Sequence, residues 1–516
     1  MSSIPHKINN IIKSSGNTSR LLLVAEKDSR TIYWILGMIS LCALTLRMLV
    51  INRPIGYDEA YTFIYFASRP FKYILLDYHV PNNHILNTIL IGVAYRILGD
   101  YTWIVRLPAL IASVLCVPAA YFTARRFFTP NQALGASAIL AVYPAIILFT
   151  ANGRGYMLVM LLSLILANIA GLLVTQQNRT ALIAYAIIGA LGFYTIPIFL
   201  YPMAGISLWV AATHLINHES RPAKLRTLTA FLGACILSGL MTLMLYSPVI
   251  IFGTGFDSIF NNEIVTPRTW LYFTESLVPR ITRTWAEWII DLNLTSQYLL
   301  SGGFLVALFF YRKASNQKLP LQLFLFLAIA ILLVLQKVAP LPRVWIYLEL
   351  FCLIFAAAGL VWSIDVPTKK FAGEIFSTRV LPFLILFFTI TVSINSIMKS
   401  QSPSAVADRT QLPEQYAADY LASHLKPGDT ILALAPIDMR TAYHLKINGV
   451  PYDVFYQRDH PTEFQNALVI VREREKLNTP EKVVEFFQLL PKLDPASAEL
   501  VFTYGELHIY SIRVRQ

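Results

Sequence analysis

Gly56-Tyr57-Asp58-Glu59-Ala60 places two adjacent carboxylates directly after a long apolar stretch. A carboxylate so placed can serve as a general base that deprotonates or orients a nucleophile. The same pair can instead solvate a membrane interface, or cap a helical run over 60–66, because Asp is a good cap and Glu favours a first turn. Chemistry is favoured by the company: Asp77, His79, Asn82, Asn83 and His84 follow in the same polar stretch. Asp58 is the expected base, with Glu59 as its catalytic neighbour or an occasional metal ligand.

Cations supply the second half of the pattern. Arg154, in Ala151-Asn152-Gly153-Arg154-Gly155-Tyr156, is a lone arginine in an almost unbroken apolar region. Snorkelling to lipid headgroups is its plain structural reading; a retained arginine also suits the phosphate of an anionic lipid. Lys337 and Arg343, beside Pro340 and Pro342, invite the same reading, and Arg106 in Val105-Arg106-Leu107-Pro108 makes a fourth cation. Four cations facing a carboxylate pair would form a site for a lipid phosphate beside a general base. The expected substrate-binding residues are Tyr57, His79, Asn83, His84, Arg106, Arg154, Tyr156, Lys337 and Arg343.

The elements that must position these groups are membrane helices. Of 516 residues, 56% are hydrophobic and 14% charged, whereas a soluble domain carries about a quarter charged residues. Apolar spans are expected near 31–50, 103–124, 131–150, 155–175, 181–196, 198–216, 228–250, 297–311, 319–336, 344–362 and 379–398. The apolar piece 84–98 is about 22 Å long as a helix, short for a crossing of roughly 30 Å. Laid at the interface, it brings Arg125-Arg126, Arg179, the Arg221/Lys224/Arg226 group, Arg312/Lys313/Lys318 and Lys369-Lys370 to the side of the basic N-terminus. That agreement predicts eleven spans, a cytoplasmic N-terminal segment 1–30, and an external C-terminus. The first external loop, 51–102, then holds the interfacial helices, and the loop 251–296 faces the same side. In that second loop Glu263, Arg268, Glu275, Arg280, Arg283, Glu287 and Asp291 mix with Trp270, Trp285 and Trp288. An aromatic belt explains the tryptophans as well as sugar stacking does.

The net charge of +12 raises the question of nucleic acid. Its distribution answers it: residues 401–516 hold 12 basic and 15 acidic groups, and the first 400 hold 30 and 15. The excess lies in short connections between spans, so no nucleic-acid partner is expected. Cys42, Cys116, Cys235 and Cys352 lie in apolar segments and read as buried hydrophobes. The polar N-terminus lacks the apolar core of a cleaved signal. A transporter or lipid flippase, the alternative function, predicts an internal repeat and polar midplane helices; the polar candidates here gather at one rim instead.

Residues 400–516 change to soluble composition. After a Ser/Pro/Asp linker at 401–413, helices are expected at 414–425 and 481–490. Strands are expected at 430–435 and 467–471, with a hairpin of 500–503 and 507–514 around Gly505. This is a small α/β domain, a lid or scaffold over the external face. The membrane body, 31–399, carries the chemistry.

The order Asp58-Glu59, His79…Asn82-Asn83-His84, Tyr95-Arg96-Ile97-Leu98-Gly99-Asp100, Arg106-Leu107-Pro108, Ala124-Arg125-Arg126-Phe127-Phe128 and Arg154-Gly155-Tyr156 resembles glycosyltransferase family 39. This is the protein-mannosyltransferase-like superfamily of GT-C membrane fold, whose broad group includes the aminoarabinose lipid A transferases. The resemblance covers about 31–400 and is strongest over 56–160. It implies a polytopic α-helical GT-C body in an inner (plasma) membrane. It also implies inverting transfer of a sugar from a polyprenyl-phosphate donor to a hydroxyl or phosphate of a lipid, glycan or protein acceptor on the extracytoplasmic side. In the family the Asp of the pair is the base and the Arg-x-Tyr element helps hold the carrier phosphate; these match Asp58, Arg154 and Tyr156. Val80-Pro81-Asn82-Asn83-His84 replaces the family's His-Pro-Pro segment, a departure that bears on sugar and acceptor identity. Membrane lipids are the remaining partners. No cofactor is required by the sequence, and a divalent metal has no supporting Asp-x-Asp element.

Overall fold

The computed structural model describes residues 28–176, 178–217, 220–261, 266–400, 412–458 and 463–515. Most of the segment 1–30, His218, Glu263 and the linker 401–411 lie outside them. By packing, the chain divides into two units. One comprises 1–51, 75–87 and 106–400; the other joins 52–74 and 88–105 to 401–516.

The first unit is helical throughout. Each expected apolar stretch forms a helix, yet the span count differs from eleven. Among the described residues six helical stretches are long and apolar enough to cross a membrane, or up to eight if each bent pair is one span. The reasons are local. Arg179–Thr195 and Leu321–Gln336 have 17 and 16 residues, short of the roughly 20 that a straight crossing takes. The stretches expected at 344–362 and 379–398 run together as Pro342–Ser400, although Gly373 at φ 75° interrupts the helical backbone between them. Close packing follows from small residues. A Cβ on Gly359 would lie 1.9 Å from the Gly303 carbonyl oxygen, so Leu294–Phe309 and Ile346–Ile375 meet backbone to backbone.

Arg47 organises one end of this unit. Pro144 carries no N–H, so the Leu140 carbonyl loses its helical donor. The helix Pro130–Val142 stops there, and Pro144–Thr150 leaves at 58°. The fully buried Arg47 guanidinium fills the gap: Nη2 donates to Leu140 O at 3.0 Å, Nη1 to Ala141 O at 3.0 Å and Ala43 O at 3.1 Å. Its Nε donates to Ser113 Oγ at 2.6 Å, and Thr150 Oγ1 donates to the same hydroxyl at 2.8 Å. The bent helix is thereby tied to two neighbours immediately before residues 151–156.

The second unit contains a four-stranded sheet: β1 (Asp429–Leu432), β2 (Asn466–Arg472), β3 (Glu499–Tyr504) and β4 (Leu507–Arg513). Their order is β1-β2-β4-β3; β1 and β2 run parallel and the other pairs antiparallel. Helices Pro413–His424 and Pro480–Phe486 and the terminal hairpin lie where the pattern predicts. A third helix, Ile437–Ile447, is additional. Its buried Ile437, Met439, Ala442, Tyr443 and Leu445 share a core with Ile55, Ala60, Phe63, Ile64 and Ala67. The loop after the first span therefore has its apolar core in common with the C-terminal domain.

Replacing Arg47 by Leu strands two buried carbonyls, each worth roughly 1–3 kcal/mol. The variant is expected to lose about 2–6 kcal/mol of stability, read as a clear fall in melting temperature in detergent. An unchanged melting temperature would remove Arg47 as the cap.

Candidate functional site

The carboxylate pair sits on a short helix, Tyr57–Thr62, that continues as a π-helical turn, Phe63–Ala67. The two acids have different surroundings. Glu59 is 4% exposed, and its Oε2 accepts the Gly56 N–H at 2.7 Å. It satisfies the N–H of the residue before the helix, the half of a capping box that a glycine at this position allows, and holds the start of the helix. Asp58 is half-buried in the first turn, and its carbonyl accepts from Thr62 Oγ1 at 2.9 Å. Capping and chemistry, which the sequence leaves as alternatives for the pair, are thus separable: the cap belongs to Glu59. Beside them the Tyr57 phenol is raised above its usual pKa, first by burial and then by the nearby Asp438, Tyr65 and Asp58 groups. All of these belong to the second unit.

The remaining candidates belong to the first unit. Its segment 75–87 is pinned to the end of the helix Arg221–Phe252: Thr254 N donates to Leu76 O at 3.0 Å, and Tyr78 N to Thr254 Oγ1 at 3.0 Å. Gly253 permits that approach, since a Cβ there would lie 1.9 Å from Leu76 O. Within the segment His79 Nδ1 is 2.5 Å from Asp77 Oδ1, both side chains partly exposed. Asn83 is buried, and its Nδ2 donates to Asp77 O at 2.8 Å.

His84 and Arg154 come together 70 residues apart in sequence. Both are buried, at 2% and 4% exposure. The Gly155 N–H donates to His84 Nδ1 at 2.9 Å, and Arg154 Nη2 lies 3.2 Å from His84 Nε2. The Tyr156 ring meets His84 edge-on at 5.4 Å, and the Arg154 guanidinium sits 5.4 Å from the centre of the same ring. Burial holds the His84 pKa well below its ordinary value, helped by the charges of Arg154 and Arg343. His84 is therefore a neutral imidazole under two cations. Asn87, which the sequence reading passes over, donates from Nδ2 to Gly153 O at 3.0 Å and braces the same turn.

The other cations have different engagements. Arg343 lies in the 3-10 turn Pro342–Trp345 and is close enough to act on His84. Lys337 takes the left-handed conformation at the end of Leu321–Gln336, with its ammonium 5.0 Å from the Trp270 ring centre. Arg106 is fully buried and donates to Ile51 O at 2.8 Å, tying the first span to the helix Thr102–Ala124. From the loop 251–296, Arg280, Trp285 and Trp288 line a mainly apolar cavity of about 520 Å³ with Tyr143 and Glu349. Tyr143 and Glu349 carry no signal in the sequence beyond being polar residues inside apolar stretches. Among the described residues no three His, Cys, Asp or Glu side chains are grouped to hold a metal ion.

Gly155 is the tightest point of the Arg154 turn. A Cβ there would lie 2.7 Å from Thr195 Cγ2 and 3.3 Å from His84 Cβ. Gly155→Ala is expected to displace the turn and lower transfer about tenfold or more. Thr195→Ser removes the obstructing methyl yet keeps the hydroxyl that donates to Leu191 O at 2.8 Å, so the double variant should recover most of the rate. Equal rates for single and double variants would show that the crowding is irrelevant.

Residues 84–252 match the family model for dolichyl-phosphate-mannose-protein mannosyltransferase. That match opens on His84 and closes at the end of the helix Arg221–Phe252. No curated protein sequence matches the chain significantly. Among solved structures, apo ArnT from Cupriavidus metallidurans is similar with a TM-score of 0.59 at 13% identity, over 94% of this chain and 98% of that one. The same protein bound to undecaprenyl phosphate gives a TM-score of 0.57 at 12% identity, with the same coverage. At such identity these structures speak for the fold, while the family model speaks for the segment that carries His84 and Arg154. Together with the apolar helices, they give this chain a multi-pass helical body with the fold of ArnT, and a segment that resembles the dolichyl-phosphate-mannose-protein mannosyltransferase family.

Proposed function

We propose that the protein is an inverting glycosyltransferase that moves a sugar from a polyprenyl-phosphate donor to an acceptor hydroxyl or phosphate on the extracytoplasmic side. The observation that carries this reading is the buried Arg154 beside a neutral His84, within the field of Arg343. When the acceptor oxygen bonds to sugar C1, the C1–O bond to the phosphate breaks and its electron pair leaves on the phosphate oxygen. A phosphodiester with one negative charge thereby becomes a monoester with two. A guanidinium held away from water favours that added charge, and so supports the transition state more than the bound donor. Asp58 orients the acceptor and takes its proton. Tyr156 holds the Arg154 guanidinium against its ring, and the apolar cavity beside Trp285 and Trp288 suits hydrocarbon of a lipid substrate. A structure of the same fold with undecaprenyl phosphate bound supports a lipid-phosphate donor.

The membrane arrangement in this reading has the N-terminus in the cytoplasm and the C-terminal domain outside. The helix Ile85–Leu98, 14 residues and about 21 Å long, lies along the interface and does not cross.

Purified protein in lipid, given a panel of polyprenyl-phosphate sugars, is expected to release free polyprenyl phosphate from one of them; the labelled product then identifies the acceptor. Asp58→Asn should lower transfer by about 10²–10⁴-fold with membrane insertion intact, and Arg154→Ala by about 10²–10³-fold. Near wild-type turnover in Asp58→Asn would remove Asp58 as the base. Leu90→Cys should be labelled by an impermeant thiol reagent from the external side alone, and labelling from the cytoplasmic side would turn the topology over.

A further inference from the structure

Two helices of the first unit run from the Arg154 turn to a second cavity. The helix Tyr156–Leu173 begins just after Arg154 and, with 18 residues, is about 27 Å long. Leu173, its last residue, lines a cavity of about 370 Å³. The helix Arg179–Thr195 covers the same interval in the opposite sense: a Cβ on Gly155 would meet Thr195 Cγ2 at 2.7 Å, and Arg179 lines the cavity. That length matches a hydrocarbon core of roughly 30 Å. The cavity and the Arg154 turn therefore stand at opposite faces of a membrane that these helices cross.

The walls of this cavity are polar and basic. Gln176, Asn178, Arg179, His214, Arg226 and Thr227 contribute to it, and among the described residues no carboxylate does. His214 is buried, whereas Arg179 and Arg226 are exposed. Phe231 also lines it, with its ring 5.2 Å from that of the fully buried Tyr185. Other cations of this basic end are engaged by the protein. Arg125 pairs with Asp28 at 2.9 Å, and Arg126 Nη2 donates to Asn168 Oδ1 at 3.2 Å. Lys224 Nζ donates to Leu215 O at 2.7 Å and Lys318 Nζ to Asn217 Oδ1 at 3.1 Å. Among the described residues the Arg179 and Arg226 side chains have no such acceptor. Two guanidiniums at one polar hollow suit an anion, and the guanidinium fork matches phosphate oxygens two at a time.

We propose that this cavity binds the phosphate of an anionic phospholipid from the leaflet opposite the Arg154 turn. The surface beside it favours a lipid over a soluble phosphate. On the helix Arg221–Phe252, Leu225, Leu232, Ile236, Leu240 and Leu243 share one face, and all are more than half exposed. This apolar stripe starts at the residue before Arg226 and runs along the span, so the headgroup enters the cavity while the acyl chains lie on the stripe. The site is distinct from the reaction site, which lies one helix length away. A lipid held there joins the beginnings of the helices Arg179–Thr195 and Arg221–Phe252. Their other ends carry Thr195, against Gly155, and the Thr254 N–H that donates to Leu76 O. Occupancy stabilises that helix pair, because the phosphate relieves the repulsion between the two arginines and bridges them.

The test measures phosphatidylglycerol binding to the full-length protein in detergent by native mass spectrometry. Melting temperature is followed with phosphatidylglycerol, phosphatidylcholine or inorganic phosphate added. Wild type is expected to hold phosphatidylglycerol about tenfold or more tighter than phosphatidylcholine, and to melt higher with it. Arg179→Gln and Arg226→Gln should each weaken that binding about fivefold, and together about thirtyfold. Their melting temperature in phosphatidylcholine should match wild type, which separates a lost ligand from a lost fold. Ala230→Trp, at another lining position, fills the cavity with every charge in place and should abolish the preference. Arg221→Gln combined with Arg312→Gln removes two charges outside the cavity and should change binding by less than about twofold. Equal losses from the two arginine pairs, or an intact preference in Ala230→Trp, would overturn the cavity as the site. Saturation by inorganic phosphate without any gain from phosphatidylglycerol would overturn the lipid as its source. Equal binding of the two lipids by wild type would overturn the proposal outright.

Discussion

A buried arginine in the first span compensates for a missing backbone donor, and the turn that carries Arg154 follows directly from it. Pro144 leaves Leu140 O without a partner inside an apolar environment, where an unsatisfied carbonyl is costly and no water can repair it. The Arg47 guanidinium supplies that donor and two more, then reaches Thr150 through Ser113. Four residues later stands Arg154. A helix broken at this depth needs such a group. Its presence lets the chain turn sharply enough for Gly155 to donate to His84 and for Asn87 to brace Gly153.

Arg154 and Arg343 place two cations near one buried histidine whose pKa burial holds low. Burial costs Arg154 its hydration, and the Tyr156 face partly stands in for water. His84 contributes shape and polarity without charge, since its protonation would add a third positive group to a dry site. In the other unit, the carboxylate pair divides its labour. Glu59 bonds the N–H at the helix start, and Asp58, one residue earlier, is half-buried in the first turn. One hydrogen bond, from Gly56 N–H to Glu59, thus shows which of two adjacent acids braces the helix start.

Much was legible beforehand, and the misses have physical causes. The apolar stretches all became helices because a continuous run of about twenty apolar residues has few other solutions. The span count was less secure, since residues 181–196 and 319–336 fall near the length threshold and the helices on either side of the Gly373 kink run on as one stretch, Pro342–Ser400. His84 and Arg154 were picked out by type, but their meeting depends on a register between segments 70 residues apart. Arg47 gave no signal, because a cation near the end of a span reads as interfacial until its acceptors are known. The helix Ile437–Ile447 was missed because Asp438, Arg440, His444 and Lys446 interrupt its apolar face and Pro436 offers no side-chain cap.

Sequence alone determined the class of protein: a helical body with stretches apolar enough to cross a membrane, and a terminal region of soluble composition. These follow from transfer free energies and charge placement, which depend on residue type and order. The tertiary structure decided that Glu59 bonds the start of its helix, that Gly155 donates to His84, and that Tyr65 meets Tyr452 from the far end of the chain. Those outcomes depend on burial and on distances of about 3 Å between segments remote in sequence, and neither quantity is written in the order of residues.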